Sequence, residues 1–316
     1  MPTESFLMTF AFANSKMPPV RALLVLCIVL GHFSFYGVPA LGAFRSIAPP
    51  AVALFLFISG YGLTRSFRTK GTAYLQGFFT GRIFRIVLPA LLVVLLHLLL
   101  GGASGVRFFE RARAIATHGQ TLLPHYWFVW AILVDYLLFW VCRRFLPEKS
   151  ADWAILAGVL LFMAGTACAG FDRCWWVCAL AFPAGAFFAD HEEAVYRFCG
   201  KEGIGFGLAL LAAAIVAACL YLTHSVVCWT LCYVFICLFA ALLIARLPLD
   251  RLHLPVLTWL GGISYELYLV HIPVMAFLRG ERVQVSSDVL FVALVLAVSI
   301  LAAFVISRLC RLVTRR

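Results

Sequence analysis

Residues 20–37, VRALLVLCIVLGHFSFYG, decide the fold class. Apart from one arginine at its start and one histidine, this run is apolar or small over the roughly 20 residues that a helix needs to cross a bilayer. Nine further runs of the same kind follow, at 48–66, 83–101, 125–142, 153–170, 174–190, 204–222, 226–245, 258–278 and 287–307. The connections are short, and no low-complexity stretch interrupts them. The expectation is an all-α transmembrane bundle of about ten helices, forming a single domain over 1–316 with no appended soluble domain. Residues 1–17 lack a basic start, an apolar run and a small-residue cleavage site, so they read as a short cytoplasmic segment and not as a secretory signal.

The composition agrees, with 64% hydrophobic and 12% charged residues. A soluble domain keeps about a quarter of its residues charged, so most of this surface cannot face water, and the bilayer is the first partner. A net charge of +11 would suit nucleic acid, but the placement of the charges argues otherwise. Of the 25 Lys and Arg, 18 fall at one set of alternate span ends and 7 (Arg45, Arg107, Arg111, Arg113, Arg173, Arg279 and Arg282) at the other. That asymmetry follows the positive-inside rule and puts both termini in the cytoplasm. Most of the eleven cysteines lie inside spans, and no pair has zinc-ligand or thioredoxin spacing, so no metal is expected. A disulfide between Cys168 and Cys174, across a short outer turn, is the alternative to free thiols there. Gly203, Gly205 and Gly207 open an apolar helix with no preceding soluble strand, which excludes a nucleotide loop. The longest gap, at 102–124, mixes basic and aromatic residues, as an entrance cap or a headgroup-level segment would.

Ionisable side chains inside hydrocarbon cost about 2.5–3.5 kcal/mol on insertion scales, so those that persist usually face the bundle interior and act. Arg21 and His32 are eleven positions apart in RALLVLCIVLGH. At 100° per residue they project from one helical face, about 16 Å apart along the axis. A neutral imidazole at that depth is available as a general base; a core histidine bonded to a backbone carbonyl is the structural alternative. In GRIFRIVLP, Arg82 and Arg85 are neighbours three positions apart at the cytoplasmic border, a seat for phosphates or a topology anchor. Ser59 lies in FISGYGL at the inner end of span two, where small residues also serve close helix packing. In LGGISYELYLVHIPV, Ser264, Tyr268 and His271 share one stripe, and Glu266 needs a partner or a polar cavity. PHYWFVW places His125, Tyr126 and Trp127 at a span end, either as an interfacial aromatic belt or at a site.

In order and spacing these segments resemble the family-3 membrane acyltransferases, which O-acetylate bacterial envelope glycans. The resemblance rests on Arg21-x10-His32, FISGYGL, Arg82-x-x-Arg85 before Pro89, His125-Tyr126-Trp127-Phe128 and LGGISYELYLVHIPV, and covers about 20–280. It implies an acyl-CoA-dependent O-acyltransferase of the bacterial cytoplasmic membrane, with acetyl-CoA as the donor and a glycan or glycolipid hydroxyl as the acceptor. It further implies that His32 is the essential catalytic residue and that Arg21, Arg82 and Arg85 surround the nucleotide end of the donor. Within that scheme Tyr126 and Ser59 are candidate oxyanion donors, and Glu266 is a candidate to orient a histidine or an arginine. His271, Tyr268 and Trp127 are candidates for contact with substrate. Some relatives carry a fused extracytoplasmic esterase-like domain; ending at Arg316, this chain is expected to act alone or with a separate acyl-accepting partner. The rivals from other classes are a small-molecule transporter, which also uses midplane polar residues, and a non-catalytic sensor or assembly subunit.

Overall fold

The computed structural model describes residues 16–99, 125–199, 204–247, 254–280 and 283–314, and isolated positions between them (110, 113, 114, 119, 121, 123 and 249). Most of the 1–17 segment and of the 102–124 gap therefore lie outside the described residues. Those described form twelve α-helices, with one isolated β-bridge between Arg279 and Gln284 and no strand. The helices are α1 Met17–Phe33, α2 Phe44–Lys70, α3 Ala73–Gln76, α4 Phe84–Leu99, α5 Trp127–Phe145, α6 Glu148–Cys168, α7 Ala181–Cys199, α8 Ile204–Leu222, α9 Val226–Arg246, α10 Pro255–Gly261, α11 Ser264–Leu278 and α12 Asp288–Thr314.

Seven of the described helical segments are long and apolar enough to cross a membrane, or eight if α10 and α11 count as one broken span. Each of the ten expected runs overlaps a helix, but α5 and α7 carry ionic groups that keep them outside that set. The chain is a multi-pass membrane protein. Leu91, Leu161, Leu211, Val227 and Leu301, on α4, α6, α8, α9 and α12, are all more than half exposed. Exposed apolar side chains in such numbers make a lipid-facing belt. α2 lies at the centre with 67% of its apolar window buried, against 17% for α4 and α8.

Glycine brings α2 and α7 together. A Cβ on Gly60 would overlap the carbonyl oxygen of Phe182, and one on Gly185 would overlap that of Phe57. The approach is reciprocal, so the backbones touch where neither side has a side chain. Gly261 meets Pro18 in the same way, which seats α10 against the start of α1.

One end of the bundle is laced by ionic groups. Arg143 is buried and donates to Asp152 and Asp190, Arg68 reaches Asp190, and the Tyr61 hydroxyl donates to Glu192 at 2.7 Å. These contacts join the ends of α2, α5, α6 and α7, and pairing is what makes such burial tolerable. Lys16 donates to the carbonyls of Ile244 and Ala245, both at 3.2 Å, capping the C-terminal end of α9 beside the start of α1.

Two expected spans are corrected. The run at 174–190 begins as a short 3-10 turn, Arg173–Trp175, and its helix is displaced to Ala181–Cys199. Asp190 and Glu192 extend the helix beyond the apolar run because their partners lie inside the bundle. The run at 258–278 is two helices meeting at 74°, broken at Gly262 and Ile263. Cys168 and Cys174 are free thiols.

Candidate active site

α1 runs unbroken from Met17 to Phe33, so Arg21 and His32 keep the expected common face. Arg21 is exposed near the ionic end of the bundle, and His32 is 8% exposed at the opposite end. The side chains that meet His32 come from helix α11 and from the turn just before α5. His32 Nδ1 lies 2.7 Å from His271 Nε2. The His125 ring stacks on that of His32, with centroids 4.2 Å apart and planes at 27°.

The partners of His271 fix the proton positions. His271 Nδ1 is 2.6 Å from the Tyr268 carbonyl and 3.3 Å from that of Leu267. A carbonyl oxygen only accepts, so Nδ1 carries the proton and the Nε2 of neutral His271 is an acceptor. His32 Nδ1 must then be the donor in the pair, and His32 Nε2 presents a lone pair. His271 is fully buried, so this orientation has no water to compete with it. A fixed tautomer with a free Nε2 is what a general base requires.

Tyr268 serves the same cluster. Its hydroxyl donates to the carbonyl of His125, whose φ of +66° is a left-handed conformation rare outside glycine. Its ring packs against Phe128 and His271. Tyr126 is buried, and its hydroxyl has no hydrogen-bond partner among the described residues. A buried donor left unpaired in the resting site is a candidate for a group that appears only during reaction.

At the ionic end, a π-helical turn over Phe79–Ile83 precedes α4 and changes the expected Arg82–Arg85 arrangement. Arg82 turns inward over the Tyr74 ring, 5.6 Å from its centroid, and reaches Ser66 Oγ at 3.5 Å. Arg21 lies within electrostatic range of Arg82 and Tyr136, and the Tyr136 side chain faces that of Ser59. Arg85 stays exposed. Arg82, on the π turn, thus contacts Tyr74 and Ser66 within electrostatic range of Arg21, while Arg85 on α4 does not share those contacts.

Three expected site residues have contacts away from the imidazoles. Glu266 faces Ser307 and Arg311 on α12, so of its two expected kinds of partner it meets an arginine and not a histidine, and His271 takes the position beside His32. Ser59 belongs with Tyr136 near the arginines and not with the imidazoles. Trp127 packs on Phe128 and against the core, without contact to the histidines. The ring of His125 is the member that sequence reasoning left out of the site. Its sole signal was the PHYWF cluster at a span end, which does not indicate what the ring touches. Among the described residues no group of three His, Cys, Asp or Glu is arranged to hold a metal, and both nitrogens of His271 are already bonded.

The model of the family-3 acyltransferase domain matches residues 20–308. The chain therefore belongs to the family-3 acyltransferases, and it is an acyltransferase. Neither a curated protein nor a solved structure matches it significantly.

Proposed function

We propose that the protein transfers an acyl group, most simply acetyl, from an acyl-CoA to a hydroxyl of a cell-envelope glycan or glycolipid, in a bacterial cytoplasmic membrane. The observation that carries this reading is the chain from the Tyr268 carbonyl through His271 to His32, which leaves His32 Nε2 as the one free acceptor of the pair. His32 removes the proton of the acceptor hydroxyl as its oxygen attacks the thioester carbonyl. The Tyr126 hydroxyl, buried without a hydrogen-bond partner among the described residues, is the donor we assign to the oxyanion. When the carbon–sulfur bond breaks, His32 returns the proton to the departing thiolate. His271 stays neutral and holds the ring in register.

Arg21 and Arg82, with Arg85 at the border, suit the phosphates of the nucleotide end of coenzyme A. The eleven residues between Arg21 and His32 span about 16 Å, comparable to an extended pantetheine arm. Loss of both Arg82 and Arg85 to alanine is expected to weaken acetyl-CoA binding by about 1.5–3 kcal/mol for each charge-assisted bond removed. Isothermal titration in detergent measures this; unchanged affinity would return both residues to topology anchors.

The 18-to-7 division of basic residues supports cytoplasmic termini, with the donor entering at the arginine end and the acceptor at the histidine end. A reporter fused after Arg316 is expected to be active only in its cytoplasmic form, and periplasmic activity would reverse the entry sides. Mass spectrometry of envelope glycans from cells with and without the protein tests the function itself. Acyl groups lost with the protein support the enzyme, whereas unchanged glycans with altered solute flux support the transporter.

A further inference from the structure

Beside His32, at the end of the bundle away from Arg21 and Arg82, Phe35 is 56% exposed while its ring lies 6.1 Å from that of His32 and 6.3 Å from that of His125. We infer that Phe35, with His125, forms the subsite that seats a sugar ring of the acceptor. This inference rests on the acyltransferase reading and specifies which face of the site the acceptor occupies.

The platform is rigid. Phe35 sits on the 3-10 turn Ser34–Tyr36, which follows α1 directly and ends at Gly37 with φ +75°. Ser34 Oγ donates to the Gly31 carbonyl at 2.8 Å. Arg279 donates to the Tyr36 carbonyl while pairing with Asp288, so the turn is tied to the start of α12. Arg45 places its guanidinium 4.7 Å over the Phe35 ring, and much of the ring remains open.

His125 supplies the polar half. Neither of its ring nitrogens has a hydrogen bond to a described residue, although its left-handed backbone is held by Tyr268. An uncommon backbone conformation kept in place by its surroundings is often a functional device. A pyranose has an apolar face of C–H groups and a rim of hydroxyls. A flat ring beside an imidazole whose nitrogens bond no described residue matches both, whereas a hydrocarbon chain has no use for His125 and a linear polyol none for the flat ring. A sugar stacked on Phe35 has a rim hydroxyl next to His32, the group that takes the proton.

The test uses the full chain in nanodiscs, with acetyl-CoA and delipidated envelope glycan as substrates, and the variants Phe35→Leu and Phe35→Trp. Leucine preserves an apolar membrane contact and removes the flat face; tryptophan preserves the face. Phe35→Leu is expected to raise the KM for glycan about three- to tenfold, the range of an aromatic contact. Its KM for acetyl-CoA and its kcat should stay near the wild type, and Phe35→Trp should restore the glycan KM. An unchanged glycan KM in Phe35→Leu would overturn the subsite and make the ring a lipid anchor, while leaving the acyltransferase reading intact. Absence of transfer by the wild type would overturn both.

Discussion

Replacing His32 by alanine is expected to lower the rate of acyl transfer by at least about 10³-fold, within the range that general acid–base catalysis supplies. Acetyl-CoA affinity should stay within a few fold, because the base acts on the transition state more than on the bound donor. The structure sharpens this expectation. His32 donates to His271, so alanine also strands the lone pair of a fully buried imidazole. Some loss of thermal stability, about 1–3 kcal/mol, should accompany the loss of rate. His32→Gln separates the two effects, since its amide can still donate to His271 but cannot act as a base. Equal loss of rate in both variants, with stability recovered in His32→Gln, identifies catalysis as the role. A variant that keeps most of its rate would move the base to another group, with His271 next in line.

The second large effect concerns folding. Gly185→Leu, or Gly60→Leu, puts side-chain atoms where the backbone of the opposite helix already lies. A flexible neighbour can move aside, but a helix carbonyl cannot. The cost should reach about 3 kcal/mol or more, the upper end of overpacking. The yield of monodisperse protein and its melting temperature measure the effect. A leucine variant that melts like the wild type would show that α2 and α7 do not approach this closely. Ser59 and Tyr61 flank Gly60, so the same contact holds Ser59 beside Tyr136 and Tyr61 beside Glu192.

What was legible in the sequence followed from local periodicity. Bilayer length marked apolar runs that each overlap a helix, and the eleven-residue separation put Arg21 and His32 on one face, because both properties belong to a single helix. The stripe holding Tyr268 and His271 was legible for the same reason. Features that depend on helices far apart in the chain were not. No pattern joins positions 32, 125 and 271, so the histidine pair and the stacked third ring emerge only from packing. Glu266 was expected to orient a histidine or an arginine, and only packing shows that the partner it faces is Arg311 on α12. Single-residue changes of geometry were equally hidden. The π turn before α4 carries Arg82, which lies over Tyr74, and the break at Gly262 separates α10 from α11. The displaced helix at Ala181–Cys199 shows a third limit. Hydropathy ends a span at its first charges, whereas here those charges have partners within the bundle.

The most direct test of a membrane acyltransferase that uses His32 as its base is a mass balance in proteoliposomes, with acetyl-CoA on the side of the chain termini and envelope glycan on the other. The expected result is release of free coenzyme A thiol in equal amount to acetyl groups gained by the glycan, both absent with His32→Ala. Acetyl-CoA or glycan crossing the membrane intact without thiol release, or equal incorporation by His32→Ala, would contradict it.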